Sequence, residues 1–171
     1  YRNAGQTCVC ANRIYVQRSV MDAFAGKLAA ATAGLKVGNG REAGVAIGPL
    51  IDGAAVEKVE AHVEDAVRRG ARVLVGGARS ALGGNYFQPT VLAGVTRGMR
   101  ILEEETFGPV APLVAFDTEE EVIAMANDTE FGLAAYFYGR DLSRVWRVAE
   151  ALESGMVGVN TGLISTAEAP F

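Results

Sequence analysis

The strongest constraint on the fold of this 171-residue chain is an alternation of strand-like and helix-like segments along its whole length. Short runs of Val, Ile and aromatic residues predict strands, whereas apolar residues spaced three and four apart predict helices. Gly, Pro and Asn separate the two kinds of segment. Because this alternation is typical of βαβ units, we expect one α/β domain with a mostly parallel sheet and flanking helices.

Six short strands are predicted, at residues 13–17, 72–75, 86–92, 110–116, 134–138 and 155–159. Pro89 lies inside the third of these and has no N–H to donate, so we expect an edge strand or an interrupted strand there. Residues 36–49 contain four glycines and predict a loop.

The predicted helices have clear start and stop signals. Ser19 is expected to cap a helix that continues through residue 31, and Asp52 to cap a second helix that ends at Gly70. Thr118 and Glu121 form a capping box for a third helix, and residues 142–152 form a fourth. The second helix has one apolar stripe, which consists of Val56, Val59, Val63 and Val67.

Charge and hydropathy narrow the range of partners. The chain has 20 acidic and 16 basic side chains, and its net charge of −4 argues against binding to nucleic acid or to an anionic membrane. It contains neither a run of 18 apolar residues nor a signal peptide, so no membrane partner is expected. Half of the residues are apolar, so we expect some apolar surface of a domain this small to be exposed unless something is missing.

Two cysteines and one histidine limit the chemistry. Cys8, Cys10 and His62 are too few for a zinc site or a disulfide framework, so we predict no metal and a reducing, cytoplasmic location. His62 lies at the edge of its helix's apolar stripe and is interpreted as structural. Cys8 follows Gly5-Gln6-Thr7, a tight turn that can leave its thiol near a helix start, where the thiolate is favoured.

Cys8 is the best candidate for a reacting atom, and its own backbone N–H could donate to a developing oxyanion. The alternative is a buried structural cysteine, since cysteine is among the most frequently buried residue types.

A series of motifs runs in order along the whole chain. The two most specific motifs are Asn3-Ala4-Gly5-Gln6-Thr7-Cys8 with Asn12-Arg13, and Glu104-Glu105-Thr106-Phe107-Gly108-Pro109-Val110. The others are Gly48-Pro49-Leu50, Gln88-Pro89-Thr90-Val91, Asn127-Asp128 with Phe131-Gly132-Leu133, and Gly158-Val159-Asn160. Together they resemble the NAD(P)-dependent aldehyde dehydrogenase superfamily. Two segments, Cys8-Val9-Cys10-Ala11-Asn12 and Gly162-Leu163-Ile164-Ser165, are most similar to its succinate-semialdehyde dehydrogenase branch.

The resemblance implies roles for three residues. Cys8 would attack the aldehyde carbon to give a thiohemiacetal, which is oxidised to a thioester with NAD or NADP as cofactor and then hydrolysed to the carboxylate. Glu105 would accept hydrogen bonds from the cofactor ribose, and Phe107 would pack near the nicotinamide. The alternative for residues 103–105 is a solvated acidic run.

For a semialdehyde substrate, the resemblance implies that Arg2 and Ser165 hold the distal carboxylate, which suits a guanidinium fork and a hydroxyl. The alternatives are a loose surface charge for Arg2 and a turn hydroxyl for Ser165. The Cys-x-Cys spacing makes Cys10 a possible redox partner of Cys8, although a helix would point the two side chains apart. Alternatively, Cys10 is a small buried apolar residue.

Several parts of the family's enzymes have no counterpart in these residues. They are the general-base glutamate in a Glu-Leu-Gly-Gly segment, the Rossmann domain and the terminal oligomerisation strand. We therefore expect residues 1–171 to be a partial, cysteine-bearing catalytic domain, inactive alone, of a parent that is a homodimer or homotetramer. The alternative is a non-catalytic α/β module that folds or associates; a stand-alone acyl-transfer protein is less favoured, because Cys8 lacks a neighbouring base.

Overall fold

The computed structural model describes residues 1–165, which fall into two compact units. The first unit spans Tyr1–Phe116 and the second spans Asp117–Phe171. Within the described residues, no helix combines the length and the apolar character that crossing a membrane requires.

The first unit contains a mixed sheet, a two-stranded ribbon and three α-helices. In chain order its elements are β1 Ile14–Gln17, α1 Met21–Ala33, β2 Lys36–Val37, β3 Val45–Ile47, α2 Gly53–Arg68, β4 Arg72–Val75, β5 Thr90–Ala93, α3 Arg100–Glu103 and β6 Val110–Phe116.

The main sheet has the strand order β1-β6-β5-β4. Strand β6 pairs in parallel with both β1 and β5, and only the β4–β5 pair is antiparallel. The predicted α/β class with a mostly parallel sheet is therefore confirmed. Of the two expectations for residues 86–92, the edge strand is wrong, because β5 lies between β6 and β4 and is buried along its whole length. The interrupted strand agrees with the structure, because β5 begins only after Pro89 and Phe87 forms an isolated bridge with Arg79.

The core of this unit lies between the sheet and α1. One buried cluster joins the sheet to this helix, and it consists of Val16, Ala25, Val91, Ala111 and Leu113. Helix α2 has a second buried face, of which Val56, Val59 and Val63 belong to the predicted stripe, whereas Val67 is exposed.

Two local predictions are corrected. Ser19 does not cap α1, because residues 18–20 form a 3₁₀ turn that runs directly into the helix, and Val20 occupies the cap position without a side-chain bond. Residues 36–49 are not all loop, because β2 and β3 pair in parallel and the Gly38 N–H donates to the Ile47 carbonyl at 3.0 Å. Strands of two and three residues give too little periodicity to be recognised among four glycines.

The caps predicted from acidic and hydroxyl side chains are present. The Asp52 carboxylate accepts from the Ala55 N–H at 2.8 Å at the start of α2. In the second unit, the Thr118 hydroxyl accepts from the Glu121 N–H at 3.2 Å. The Glu121 carboxylate reaches back to the Asp117 N–H, one residue further than the usual capping box.

The second unit is a βαβ arrangement preceded by a helix. Its elements are α4 Glu119–Asn127, β7 Ala134–Phe137, α5 Leu142–Ala151 and β8 Met156–Val159. Strands β7 and β8 pair in parallel, and Asn127 ties the ends of α4 and α5 by donating to the Ala151 carbonyl and accepting from the Glu153 N–H. Asn160, in the left-handed region at φ 55°, bonds both backbone groups of Gly139.

Candidate active site

The segment that carries Cys8 begins with an unusual backbone. Asn3, Ala4 and Gly5 are successive left-handed residues with φ of 51°, 54° and 78°. At Gly5 a side chain is excluded as well as strained, because an added Cβ would overlap the carbonyl oxygen of Gly108. The Cys8 segment therefore packs backbone to backbone against the loop that precedes β6.

Gly108 makes a second close contact, with helix α2. A Cβ added there would overlap a methyl group of Val59, on the buried face of α2. The loop at Gly108 therefore contacts the backbone of the Cys8 segment at Gly5 and the Val59 side chain of helix α2.

The Gln6 side chain makes a second anchor. Its carboxamide oxygen accepts from the Ile51 N–H at 2.9 Å, and its nitrogen donates to the Pro49 carbonyl at 3.3 Å. These bonds give a physical reason for two of the motifs, because Gln6 belongs to the first and Pro49 to the Gly48-Pro49-Leu50 segment.

Cys8 is exposed and lies in a turn closed by a 2.9 Å bond from the Cys10 N–H to the Thr7 carbonyl. The expectation that it lies at a helix start is wrong, because this turn does not continue into a helix and β1 follows. The alternative of a buried structural cysteine is also wrong. Both thiols are free, and Cys10 Sγ lies 3.6 Å from the Arg2 carbonyl oxygen.

The acidic run at residues 103–105 contains side chains in different environments. The Glu104 carboxylate accepts from Arg100 at 2.9 and 3.0 Å and contacts His62 Nε2 at 3.1 Å. These hydrogen bonds, first that from Arg100, lower the pKa of Glu104 to about 2. By contrast, Glu105 is exposed, and its carboxylate has no hydrogen bond or ion pair within residues 1–165.

Phe107 lies two residues beyond Glu105 and is half-buried. Its φ of 51° is uncommon for an aromatic residue. Such strain persists only where the surroundings fix the backbone, and here Thr106 and Gly108 on either side are buried.

His62 is completely buried on α2, with both ring nitrogens bonded. Nε2 faces the Glu104 carboxylate, and Nδ1 lies 3.1 Å from the Thr106 hydroxyl. Burial lowers the pKa of His62 against the opposing effect of Glu104. Because ionised Glu104 can only accept, Nε2 holds the proton, and in the neutral ring Nδ1 accepts from Thr106.

Asn12 links the Cys8 segment to the Glu105 loop. Its side-chain nitrogen donates to the carbonyls of Glu104 and Ile101 at 3.2 and 3.4 Å, and its oxygen accepts from the Thr106 N–H at 3.1 Å. Sequence reasoning placed Asn12 in a motif but gave it no role. Its signal was present in the spacing, since a polar amide four residues after the cysteine precedes an otherwise apolar strand.

The two residues predicted to hold a substrate carboxylate lie in different units. Arg2 is exposed at the start of the 3₁₀ turn Arg2–Gly5 in the first unit. Ser165 is exposed in the second unit, at the end of the described residues.

Comparison with known proteins identifies the family. Residues 1–171 match the model of the aldehyde dehydrogenase family, and the chain belongs to that family. It is 67% identical to the glutarate-semialdehyde dehydrogenase of Pseudomonas putida and 62% identical to the succinate-semialdehyde dehydrogenase [NADP(+)] GabD of Escherichia coli. Both matches cover the whole chain, which spans 35% and 36% of these relatives, about a third of their length.

Comparison with solved structures also matches the whole chain to about a third of a longer protein. The succinate-semialdehyde dehydrogenase of Burkholderia pseudomallei superposes with a TM-score of 0.98 at 63% identity. The match covers 100% of this chain and 36% of that one.

Proposed function

We propose that this chain is the cysteine-bearing part of an NAD(P)-dependent dehydrogenase that oxidises an acid-terminated semialdehyde, succinate semialdehyde in the first instance, to the dicarboxylate. One observation carries the proposal: an exposed thiol, Cys8, and an exposed unpaired carboxylate, Glu105, lie on two segments that Asn12 and the Gly5–Gly108 contact join. Semialdehyde dehydrogenases among the similar proteins support the substrate class.

Cys8 is the proposed nucleophile. Its thiolate adds to the aldehyde carbon, and the carbonyl oxygen becomes the oxyanion of a thiohemiacetal. The Cys8 N–H has no acceptor within the described residues, so it is available to that oxyanion. Loss of hydride from the carbon leaves a thioester on Cys8, and water then releases the acid and restores the thiol.

The residues of the Glu105 loop fit a nicotinamide dinucleotide. A carboxylate with all its acceptor positions open can bind two ribose hydroxyls. Glu103 and Glu105 are both exposed without a partner in the described chain, and Glu105 is distinguished by the Asn12 hydrogen bonds to the residues on either side of it. Phe107 presents a half-buried ring close by in the chain. When bound, NAD or NADP supplies a hydride acceptor, and the chain's part is to bind and orient it.

Arg2 and Ser165 are the proposed carboxylate-binding residues. A guanidinium can bind a carboxylate bidentately, and both side chains are exposed and open to a ligand. Because the chain spans about a third of its relatives, the cofactor domain, the general base and the assembly of a homodimer or homotetramer are assigned to the rest of a longer protein.

Cys10 is proposed as a redox partner of Cys8. The two residues lie in a turn, so the helical geometry that would point them apart does not apply. Two-electron oxidation, for example by a peroxide, would join the two thiols and block Cys8 reversibly. Titration that finds two free thiols in both oxidised and reduced samples would exclude the disulfide. The free thiols also suit a reducing cytoplasm.

The decisive experiment compares two matched substitutions in the full-length protein. Cys8→Ser should reduce NAD(P)-dependent oxidation of succinate semialdehyde by at least about a hundredfold, because a hydroxyl is a far weaker nucleophile at neutral pH. Cys10→Ser, the same change two residues away, should retain activity under reducing conditions. Equal activity of Cys8→Ser and the unaltered protein would favour a non-catalytic folding or association module.

A further inference from the structure

We propose that Asn12 and His62 are positioning residues that hold the backbone and the side chains of residues 104–106, so that the Glu105 carboxylate is presented to the cofactor at a fixed place relative to Cys8. The proposal rests on the function assigned above to Glu105. It concerns residues that touch neither the cofactor nor the substrate in that assignment.

Asn12 restrains the backbone on both sides of Glu105. The Glu104 carbonyl belongs to the peptide group before Glu105, and the Thr106 N–H belongs to the one after it. Asn12 bonds both, at 3.2 and 3.1 Å. Fixing these two peptide planes fixes the φ and ψ of Glu105, the only soft backbone torsions of that residue.

His62 restrains the side chains on both sides of Glu105. Its two ring nitrogens lie 3.1 Å from the Glu104 carboxylate and 3.1 Å from the Thr106 hydroxyl. The ring is fully buried, and an aromatic ring has few rotamers, so the two contacts act as one rigid brace. Arg100 holds the other side of the Glu104 carboxylate.

The two restraints leave Glu105 itself uncommitted. The side chains of Glu104 and Thr106, the residues directly before and after it, have their polar groups occupied, whereas the Glu105 carboxylate remains exposed and without a partner in the described chain. This is the arrangement expected of a preorganised ligand-binding carboxylate, because the ordering entropy of the loop is lost on folding and not on binding.

Asn12 also fixes the position of the Glu105 loop relative to the segment that carries the Cys8 thiol. It lies four residues after Cys8 on a segment that already contacts the loop through Gly5. A change at Asn12 should therefore alter the placement of the cofactor relative to the thiol, whereas the intrinsic reactivity of the thiol should remain.

The test uses the full-length protein and three measurements: the Kd of NADPH and NADH by fluorescence, the rate of Cys8 alkylation by iodoacetamide without cofactor, and the thermal unfolding midpoint. Asn12→Ala should weaken binding of the preferred cofactor by about fivefold to tenfold, which corresponds to the loss of one or two hydrogen bonds that order the site. Its alkylation rate should stay within about twofold. Asn39→Ala is the matched control, because the Asn39 side chain also bonds a loop N–H, that of Arg41, and should change neither quantity.

Two substitutions at Thr106 test the His62 contact without removing the buried ring. Thr106→Val keeps the side-chain shape and removes the hydroxyl that donates to His62 Nδ1, whereas Thr106→Ser keeps this hydroxyl. We expect weaker cofactor binding in Thr106→Val and recovery in Thr106→Ser. If Asn12→Ala fails to fold, the two Thr106 variants still test whether the restraints on residues 104–106 affect cofactor binding.

Two outcomes would overturn the positioning role. One is normal cofactor binding by Thr106→Val and Asn12→Ala with weak binding by Glu105→Gln, and the other is a rate of Cys8 alkylation that changes in proportion to Kd. The first leaves Glu105 as a ligand without the brace, and the second means general loss of structure. If Glu105→Gln binds cofactor normally, the proposed role of Glu105 fails instead, so the two failures are distinguishable.

Discussion

At the scale of single residues, the acidic run shows how neighbouring carboxylates acquire different tasks. Glu104 is held by Arg100 and His62, whereas Glu105 is exposed and unpaired in the described chain. Neither the spacing nor the composition of the run distinguishes these two residues. The difference comes from α2, which lies about forty positions earlier in the chain and places His62 against only one of them.

The Glu104 pairing predicts a pH dependence of stability. Its pKa is lowered from 4.5 to about 2 in the folded protein, so its contribution is fully present above pH 4.5 and is lost as the pH falls towards 2. Glu104→Gln should therefore flatten the fall in the unfolding midpoint between pH 5 and 3, measured by circular dichroism. Parallel curves for the two proteins would contradict this prediction.

The lowered pKa of His62 also makes the folded protein less stable as the pH falls, but in a range closer to neutrality. A neutral buried histidine stabilises the fold above the unfolded value of 6.5, and that contribution declines as acid charges the unfolded chain. Lys58 and Arg100 also disfavour the charged ring. Measurements on Glu104→Gln should consequently begin at pH 7.5, so that the two windows are separated.

Arg2 gives a prediction about substrate class. In the full-length protein, Arg2→Ala should lower kcat/KM for succinate semialdehyde by about 1.5–3 kcal/mol, the value of a hydrogen bond to a charged group, and leave an uncharged aldehyde of similar length nearly unchanged. Steady-state kinetics with both substrates measures the difference. Equal losses for both would show that Arg2 does not bind the distal carboxylate.

At the scale of secondary structure, helix α2 has the largest effect on the site. It begins at the Asp52 cap, places Val59 beneath Gly108 and carries His62 one turn later. Its apolar stripe and its cap were both predictable from sequence, because they depend on neighbours within one or two turns. The contacts of His62 were not, since they depend on which loop covers the helix.

The cap of α2 can be tested by a conservative pair. Asp52→Ala should lower the free energy of unfolding by about 1 kcal/mol, because the Ala55 N–H loses its acceptor, whereas Asp52→Asn should cost much less. Urea denaturation followed by far-UV circular dichroism gives the values. Equal destabilisation by both variants would indicate that charge, and not the cap bond, is what matters.

The incorrect local predictions have two causes at this scale. Ser19 lies in a local 3₁₀ turn that leaves Val20 at the cap position. The loop at residues 36–49 and the edge strand at residues 86–92 were predicted from short local signals that tertiary pairing overrode. The predicted helix start at Cys8 failed for the same reason, because three left-handed residues and a backbone contact with Gly108 direct the chain into a turn.

At the scale of the whole molecule, the chain is a third of its relatives' length and forms two compact units. The residues assigned to the reaction are divided between them: Cys8, Glu105 and Arg2 lie in the first and Ser165 in the second. The family resemblance assigns the general base and the dinucleotide-binding domain to neither unit.

The 171-residue polypeptide alone is therefore expected to be inactive. Mixed with succinate semialdehyde and NAD+ or NADP+, it should give no increase in absorbance at 340 nm above that of its own Cys8→Ala variant. Turnover that depends on Cys8 would contradict the proposed division of labour, because it would place a working cofactor site and base within these residues.

The backbone contact between Gly5 and Gly108 has a consequence for how variation can accumulate. Where two main chains touch directly, their separation is set by the van der Waals radii of backbone atoms and not by the volume of any side chain. Substitutions that resize the hydrophobic interior would then change thermal tolerance while the spacing between the Cys8 and Glu105 segments stays constant. Diversity among related sequences is expected to be high around this contact and nearly absent at Gly5 and Gly108.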